Sequence, residues 1–432
     1  MLKKINSKHI FLIALLLQFF VFVINLFFPL QINYDPWFEI YARKFIEHPG
    51  EPIIWGPDGD LRTTTSPLQV GKYFNWRPIG YSLFLSIIYL FGFVNYELVR
   101  TIYQALVYSF IPVIFFKICK KYFYEDVDNK KSLVSVLIFM LNPLYLVGFL
   151  QSLDTWLKVL VTLSIVLFIF NNDTKSKILL IPFLIFLYLI TPIGFLSIVL
   201  LIITLTFLKH FSLKYFFSIA VTLTFIIMLF GFRNYYLTNH FDITNSSVGY
   251  NLWLGNNEAT LEFLKSHLGD GATIEDKIIP QFNYKFKFLE KYSEYEKNKF
   301  FKEEAIKFIL KHPAITLENM LWKIVGFWSP LRVRKTHYTD SKIKFLLSLI
   351  YQTPLLLTFF IMVIRFIIKK EWEINKLKLI MFLLVLFWFI PYLFFFTLAR
   401  YRTPIEFVFI ITFVELIYSL KEKFVISYKR AK

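Results

Sequence analysis

The sequence predicts an all-α polytopic membrane protein with about ten spans. Hydrophobic residues make up 56% of the 432 positions and aromatic residues 20%, whereas soluble domains hold about 45–50% apolar residues. The apolar residues gather in long runs, and Lys and Arg lie mainly in the gaps between the runs. The net charge of +18 therefore indicates membrane topology rather than binding to nucleic acid.

The first apolar run follows a basic start, MLKKINSKHI. It is about as long as a bilayer span requires and no small-residue cleavage site ends it, so we expect a retained anchor. The apolar runs cover residues 9–31, 78–94, 97–118, 132–151, 155–171, 177–190, 193–208, 211–232, 343–368, 377–396 and 403–420.

Positive charge indicates which of these runs cross the membrane. If all of them crossed, the short basic gaps would lie opposite the basic N terminus, against the positive-inside rule. The rule is restored if 78–94 lies along the outer interface, since this run is short for a span and rich in Tyr and Phe. We therefore expect a multi-pass protein of the plasma (inner) membrane, with an outer interfacial helix and both termini in the cytoplasm.

This topology divides the chain into three parts. An N-terminal transmembrane module, 1–232, contains a first outer loop, 31–96, and the C-terminal transmembrane helices occupy 343–432. Between them, 233–342 forms one long outer (periplasmic) loop or cap, with helix-compatible charged sequence near 288–311. The piece HPAITLENMLWKIVGFWSP that closes this loop predicts a further interfacial helix.

Familiar catalytic and metal-binding motifs are absent from the sequence. There is no HExxH, CxxC, P-loop or GxGxxG pattern, and the seven His residues lack ligand spacing. The single cysteine, Cys119, excludes an internal disulfide. Acids and arginines on the outer face remain, and a base beside a phosphate clamp at a membrane surface suits transfer from a lipid-linked phosphate donor.

Asp35 is the strongest candidate for a catalytic base. It follows the first span, and an acid at the mouth of a membrane protein is often functional. Asp35-Pro36 is also good helix-capping chemistry, so a structural role is the alternative. Glu39 lies one helical turn further on and is a second candidate for the same role.

Arginines on the outer side are candidates for binding a lipid phosphate. Arg77 begins the interfacial run, and Arg400 and Arg402 flank Tyr401 near the last span. Arginine binds phosphate oxygens in a bidentate manner, although snorkelling to the headgroups explains any one of them equally well.

Two further charged residues lie at outer turns. Asp154 separates two apolar runs and could orient an arginine or the acceptor, with Lys158 as a plain structural partner. Arg233 opens the long outer loop, which also supplies amide and aromatic groups of the kind that bind sugars: Asn251, Trp253, Asn256 and Asn257. Structural turn chemistry is the alternative for most of these residues.

Taken in order, several segments resemble the protein O-mannosyltransferase-like branch of the GT-C glycosyltransferases, which includes bacterial lipid A aminoarabinose transferases. The matching segments are DPWFEIYAR, WRPIGYSLFLSIIYLFG, TPIGF, RNYYLTNHFDITNSSVGYNLWLGNN, FILKHPAITLENMLWKIVGFWSP and ARYRTPIEFVFII.

The resemblance implies a GT-C type helix bundle that transfers a sugar, with inversion, from a polyprenyl-phosphate donor to an acceptor hydroxyl at the outer face. By matching position it implies Asp35 as the base and Arg77, Asp154, Arg400 and Arg402 in the substrate site. Phe38 stands where the spacing from the acid is one residue shorter than in many members, so Glu39 could share the base role.

The expected partners are the lipid-linked donor, membrane lipid and a glycan, lipid or protein acceptor. No nucleotide or haem cofactor is expected, and a divalent cation near Asp35 and Glu39 is left open. Two other functions remain: oligosaccharyltransferase-like transfer from a lipid pyrophosphate, which DPWF also resembles, and flipping or transport of a lipid-linked sugar.

Overall fold

The protein is an all-α membrane protein apart from one short hairpin in the described chain. The computed structural model describes residues 5–27, 36–55, 71–91, 95–124, 129–171, 173–266, 281–282, 286–330 and 342–431. In the hairpin, β1 (Ile53–Trp55) pairs antiparallel with β2 (Gly71–Tyr73), with Ile53 opposite Tyr73.

The described α-helices follow one another along the chain as short helices and longer apolar ones. They are α1 (Ser7–Phe27), α2 (Pro36–Glu47), α3 (Gly80–Leu90), α4 (Tyr96–Tyr108), α5 (Phe110–Ile118), α6 (Lys130–Met140), α7 (Pro143–Gly148), α8 (Thr155–Asn171), α9 (Thr174–Ile190), α10 (Pro192–Phe207), α11 (Leu213–Thr238), α12 (Ser247–Leu254), α13 (Thr260–Ser266), α14 (Glu294–Lys311), α15 (Pro313–Trp328), α16 (Lys342–Ile368), α17 (Lys376–Phe389) and α18 (Glu406–Ala431).

Within the described residues, six helical stretches are long and apolar enough to cross a bilayer. They are Ser7–Phe27, Tyr96–Tyr124, Leu213–Thr238, Leu346–Ile368, Lys376–Leu393 and Ala399–Glu422. Three shorter helices, α3, α8 and α10, are also apolar. The prediction of apolar membrane helices is confirmed, whereas the number of ten spans stays a prediction.

The run predicted as an interfacial helix contains the short helix α3. Its 11 residues span only about 16 Å at 1.5 Å per residue, about half of the hydrocarbon core. Helix α3 packs against α2, α4 and α9. A Cβ on Gly80 would lie 2.7 Å from the backbone of Leu189, so glycine allows the start of α3 to approach the end of α9 closely.

Helix α9 ends and α10 begins at a single residue, Thr191. Its side chain accepts a hydrogen bond from the Gly194 N–H at 3.3 Å, and Pro192 takes the first helical position. Hydroxyl capping and a first-turn proline both favour a helix start here. The tight junction brings residues 190–193 to the start of α3, on the same cavity wall as Arg77.

The segment predicted to form the long outer loop contains helices that pack on one another, with α12 against α14 and α13 against α15. Helix α14 begins with a capping box, in which Ser293 and Glu296 satisfy each other's backbone N–H groups. Between α12 and α14 the rings of Tyr250, Trp253 and Phe301 form a buried aromatic cluster.

Candidate functional site

A cavity of about 170 Å³ lies where distant parts of the chain meet. It is smaller than the roughly 300–1,000 Å³ typical of sites for drug-sized ligands, so it suits one compact polar group. Its wall comprises Phe38 and residues within 77–78, 153–158, 190–193, 245–251 and 388–404.

Three of the predicted site residues lie on this wall. Arg77, Asp154 and Arg400 come from the start of α3, the turn before α8 and the turn before α18. The Asp154 carboxylate forms an ion pair with the Lys158 ammonium, with Oδ2 and Nζ 2.7 Å apart. Among the described wall residues, three cations therefore face one carboxylate, so the cavity favours an anionic group.

Aromatic rings form the side of the cavity near Arg400. The Arg400 guanidinium lies 5.6 Å from the centre of the Tyr401 ring, and Tyr401 stacks on Tyr392 at 5.1 Å. The indole N–H of Trp388 donates to the Tyr401 carbonyl at 2.9 Å. This bond fixes the backbone that carries Arg400, whose own side chain is exposed.

Uncharged polar groups form another part of the wall. The Asn245 amide donates to the Trp76 carbonyl at 3.1 Å, and the Asn251 amide donates to the Ser247 hydroxyl at 3.3 Å. Amide and hydroxyl groups of this kind recognise sugar hydroxyls. The sequence indicated Asn251, whereas Asn245 and Ser247 were missed because they sit in a stretch that reads as an ordinary polar turn.

Of the two candidate bases, Asp35 lies outside the described residues. Glu39 lies on α2, where it forms an ion pair with Arg100 of α4. Arg100 is buried and also donates to the Leu150 carbonyl at 3.4 Å. Phe38, the residue before Glu39, lies on the cavity wall, so the ion pair lies on the element that borders the cavity.

Sequence reasoning missed Arg100 because it lies in an apolar run that reads as a span. Its charge within that run is the signal that could have found it, since a buried cation in an apolar helix requires a carboxylate partner.

Arg233 lies at a different place from the cavity wall. Its guanidinium donates to the hydroxyl of Tyr41 and to the Asn234 side chain, the latter at 2.8 Å. It also acts electrostatically on Glu294. Arg233 is not among the described residues of the cavity wall, and its role in substrate binding stays a prediction.

Arg402 is buried, and its role in substrate binding stays a prediction. Its side chain is 0% exposed and donates to the backbone carbonyls of Phe327 and Ser329 and to Glu406. Through these contacts the guanidinium joins the end of α15 to the start of α18. Arg402 stabilises the fold behind the cavity, while Arg400 two residues earlier faces it.

Asparagines near α12 also have structural roles. Asn256 donates to the carbonyls of Leu252 and Phe394, at 2.8 and 2.7 Å, and Asn257 donates to the Trp253 carbonyl at 2.9 Å. These bonds match the alternative of turn chemistry that the sequence left open.

The described part of the chain holds no group of three or more His, Cys, Asp or Glu residues arranged to hold a metal ion. The cavity therefore offers its described cations and amides, rather than a cluster of acids, to a ligand.

No family model matches the chain, and no curated protein matches it. Function is therefore inferred from the cavity and from the motifs that border it.

Proposed function

We propose that this protein is an inverting glycosyltransferase of GT-C type, with ten spans, that moves a sugar from a polyprenyl-phosphate donor to an acceptor hydroxyl at the outer face of the membrane. The observation that carries the proposal is the meeting of Arg77 and Arg400 on one cavity wall. More than 300 residues separate them in sequence, yet both lie on the same small cavity with Asp154.

The charges of the cavity support a phosphate ligand. Guanidinium groups bind phosphate oxygens through paired hydrogen bonds, and charge on the phosphate increases when the bond to the sugar breaks. Cations that are already in place stabilise this charge without reorganisation. Arg77 and Arg400 are assigned this role, and the pair of Asp154 and Lys158 lines the adjoining wall.

The environment of Glu39 supports Asp35 as the base. A carboxylate that neutralises a buried guanidinium is not free to move toward a substrate, because that would leave the cation buried and unpaired. Glu39 is paired in this way with Arg100. We therefore assign proton abstraction to Asp35 and the orientation of the start of α2 to Glu39.

The proposed reaction is a single displacement. The Asp35 carboxylate takes the proton of the acceptor hydroxyl, and the acceptor oxygen forms a bond to the anomeric carbon as the bond from that carbon to the phosphate oxygen breaks. The electron pair leaves with the lipid phosphate, beside Arg77 and Arg400. No nucleotide takes part.

The test is transfer by purified protein in lipid nanodiscs supplied with a polyprenyl-phosphate hexose and a mixture of glycan and lipid acceptors. Release of polyprenyl phosphate is measured for wild type, Asp35→Asn, Arg400→Gln and Lys299→Gln. We expect Asp35→Asn to lose about 10²–10⁴-fold in turnover, the range for a general base. Arg400→Gln should lose about tenfold or more in donor affinity.

Lys299 is a matched control, because it is an exposed cation of the outer loop that is not on the cavity wall. Wild-type turnover by Asp35→Asn would remove Asp35 as the base. Movement of the lipid-linked sugar across vesicles without release of polyprenyl phosphate would instead favour a flippase. Turnover only with a lipid pyrophosphate donor would favour the oligosaccharyltransferase-like reaction.

A further inference from the structure

Glu294 is a buried carboxylate that the proposed reaction does not use. It lies at the start of α14, in a helix whose other acidic residues are more exposed, and only 6% of its surface is accessible. Burying a charge is costly unless it is fully hydrogen-bonded. The contacts of Glu294 meet that requirement.

The carboxylate of Glu294 joins two distant segments. It accepts hydrogen bonds from the backbone N–H groups of Phe74 and Asn75, at 2.6 and 2.9 Å, and from the hydroxyl of Ser246. Bonds of this kind to a charged acceptor are roughly twice as strong as those between neutral groups. We call Glu294 with these three donors the Glu294 clamp.

The two clamped segments also bond directly to each other. Ser246 N–H donates to the Asn75 carbonyl at 2.9 Å, and the Asn75 amide donates to the Thr244 carbonyl at 2.8 Å. Both segments then continue into the cavity wall. Arg77 lies two residues beyond Asn75, and Asn245 and Ser247 flank Ser246.

The charged and titratable groups that act on Glu294 lie on the elements around it. Arg233 of α11 lowers its pKa, but burial outweighs that effect and raises the pKa of the carboxyl above its ordinary value. The negative charge of Glu294 in turn favours the protonated forms of Tyr41 of α2, Tyr73 of β2 and Lys297 of α14. The Tyr41 hydroxyl donates to the Phe74 carbonyl at 2.5 Å, so Tyr41 also holds the backbone of 74–75.

We propose that Glu294 is a positioning residue, which holds the backbone of 74–75 and the turn at Ser246 so that Arg77, Asn245 and Ser247 face the cavity together. The role of Arg77 in this inference rests on the proposed function, whereas the clamp itself does not. Arg233, which is held by Tyr41, supports the clamp rather than the substrate. The outer loop is thus part of the donor site through its hydrogen bonds, although it contributes few charges to the wall.

The test compares Glu294→Gln with Glu296→Gln, a change on the same helix that alters its capping box but not the clamp. Glutamine has nearly the same shape, but its NH₂ group would face one of the three donors. Hydrogen exchange at the amides of Phe74 and Asn75 is measured by mass spectrometry, together with the Kd for undecaprenyl phosphate and with KM and kcat for the donor.

For Glu294→Gln we expect faster exchange at 74–75 and a rise of about tenfold in Kd and KM, with kcat within about twofold of wild type. Glu296→Gln should leave exchange at 74–75 and donor affinity unchanged. Ser246→Ala, which removes one donor and keeps the carboxylate, should raise KM by about threefold, and it remains informative if Glu294→Gln does not fold.

Two results would overturn the positioning role. One is unchanged exchange at 74–75, and the other is a fall in kcat at constant KM, as expected if the variant only reduces the folded fraction. Failure of wild type to bind undecaprenyl phosphate would count against the proposed function instead, while faster exchange in Glu294→Gln would still identify the clamp.

Discussion

Arg400 and Arg402 show that similar residues two positions apart acquire different roles from burial alone. Arg400 is exposed over Tyr401 on the cavity wall, whereas Arg402 is buried with Glu406 and the end of α15. Sequence identified both as outer arginines but could not rank them. The difference depends on which residues of this turn pack against α15. The residue of α15 that Arg402 contacts lies about 75 positions earlier in the sequence.

The same limit applies to the buried charges of the outer loop. Glu294 and Lys323 lie in amphipathic sequence where charged residues usually face solvent. Their burial follows from tertiary contacts with 74–75 and with Leu393, respectively. Residue chemistry selected Arg77 and Arg400 as candidate phosphate ligands, because a guanidinium binds phosphate oxygens in a bidentate manner, but it could not predict the groups that hold them.

Lys323 should make the stability of the protein depend on pH. Its ammonium group is 1% exposed and donates to the Leu393 carbonyl at 3.1 Å, and burial lowers its pKa to about 7. An unfolded lysine has a pKa of about 10.4. Between these two pKa values the unfolded chain binds more protons than the folded protein. The free energy of unfolding should therefore rise with pH, by up to about 1.4 kcal/mol per pH unit.

The measurement is the Tm in detergent from pH 6 to 9 for wild type, Lys323→Met and Lys299→Met. The increase in Tm with pH should begin near pH 7 and continue toward the pKa of the unfolded lysine. It should be absent in Lys323→Met. Lys299→Met, which removes an exposed lysine of α14, should keep the wild-type slope. Parallel curves for wild type and Lys323→Met would show that Lys323 does not titrate in this range.

At the scale of elements, the apolar runs located the helices but not their interruptions. The run 132–151 is divided into α6 and α7 at Asn142, which caps α7 ahead of Pro143. The run 377–396 continues from α17 into a short 3-10 helix, Ile390–Leu393. These breaks place Asp154 and Tyr392 at the cavity. The sequence analysis took both runs as continuous, because hydropathy averages over a window and does not resolve local signals such as Asn142-Pro143 and Pro391.

The outer loop is helical around 294–311 and 313–328, as the charge pattern and HPAITLENMLWKIVGFWSP predicted. Its contacts were not predictable, because they depend on the close approach of α12 to α14. At that crossing the Gly249 N–H donates to the Asn298 side chain at 2.7 Å. A Cβ on Gly249 would overlap the backbone carbonyl of Asn298.

Gly249→Ala should therefore destabilise the packing of α12 on α14. The obstacle is backbone rather than a flexible side chain, so we expect a loss of about 1–3 kcal/mol, the usual range for overpacking. Gly326→Ala is the control, since a Cβ there meets nothing within 4 Å and alanine favours helix by about 1 kcal/mol. In thermal unfolding, the Tm of Gly249→Ala should be lower than that of wild type, and the Tm of Gly326→Ala should be equal to it or higher. Equal Tm values would contradict the close approach.

At the scale of the whole molecule, the proposed topology rests on α3 not crossing the membrane. Its length is about 16 Å, and most of its residues are buried against other helices. If 78–94 nevertheless crossed, every later loop would change sides. The cavity and the basic gaps would then exchange faces, and the positive charges of Lys175 and Lys177 at the start of α9 would lie outside.

Cysteine labelling separates these two arrangements. In a Cys119→Ser background, which removes the only native thiol, single cysteines replace Asn6, Lys175 and Glu303, and intact cells are treated with a membrane-impermeant maleimide. Lys175 and Glu303 are exposed, so access depends on the side of the membrane. The ten-span topology predicts labelling at 303 only, with 6 and 175 reacting after permeabilisation. A crossing at 78–94 predicts labelling at 175 and protection at 303, which would move the cavity to the cytoplasmic face and remove the proposed transfer from the outer side of the membrane.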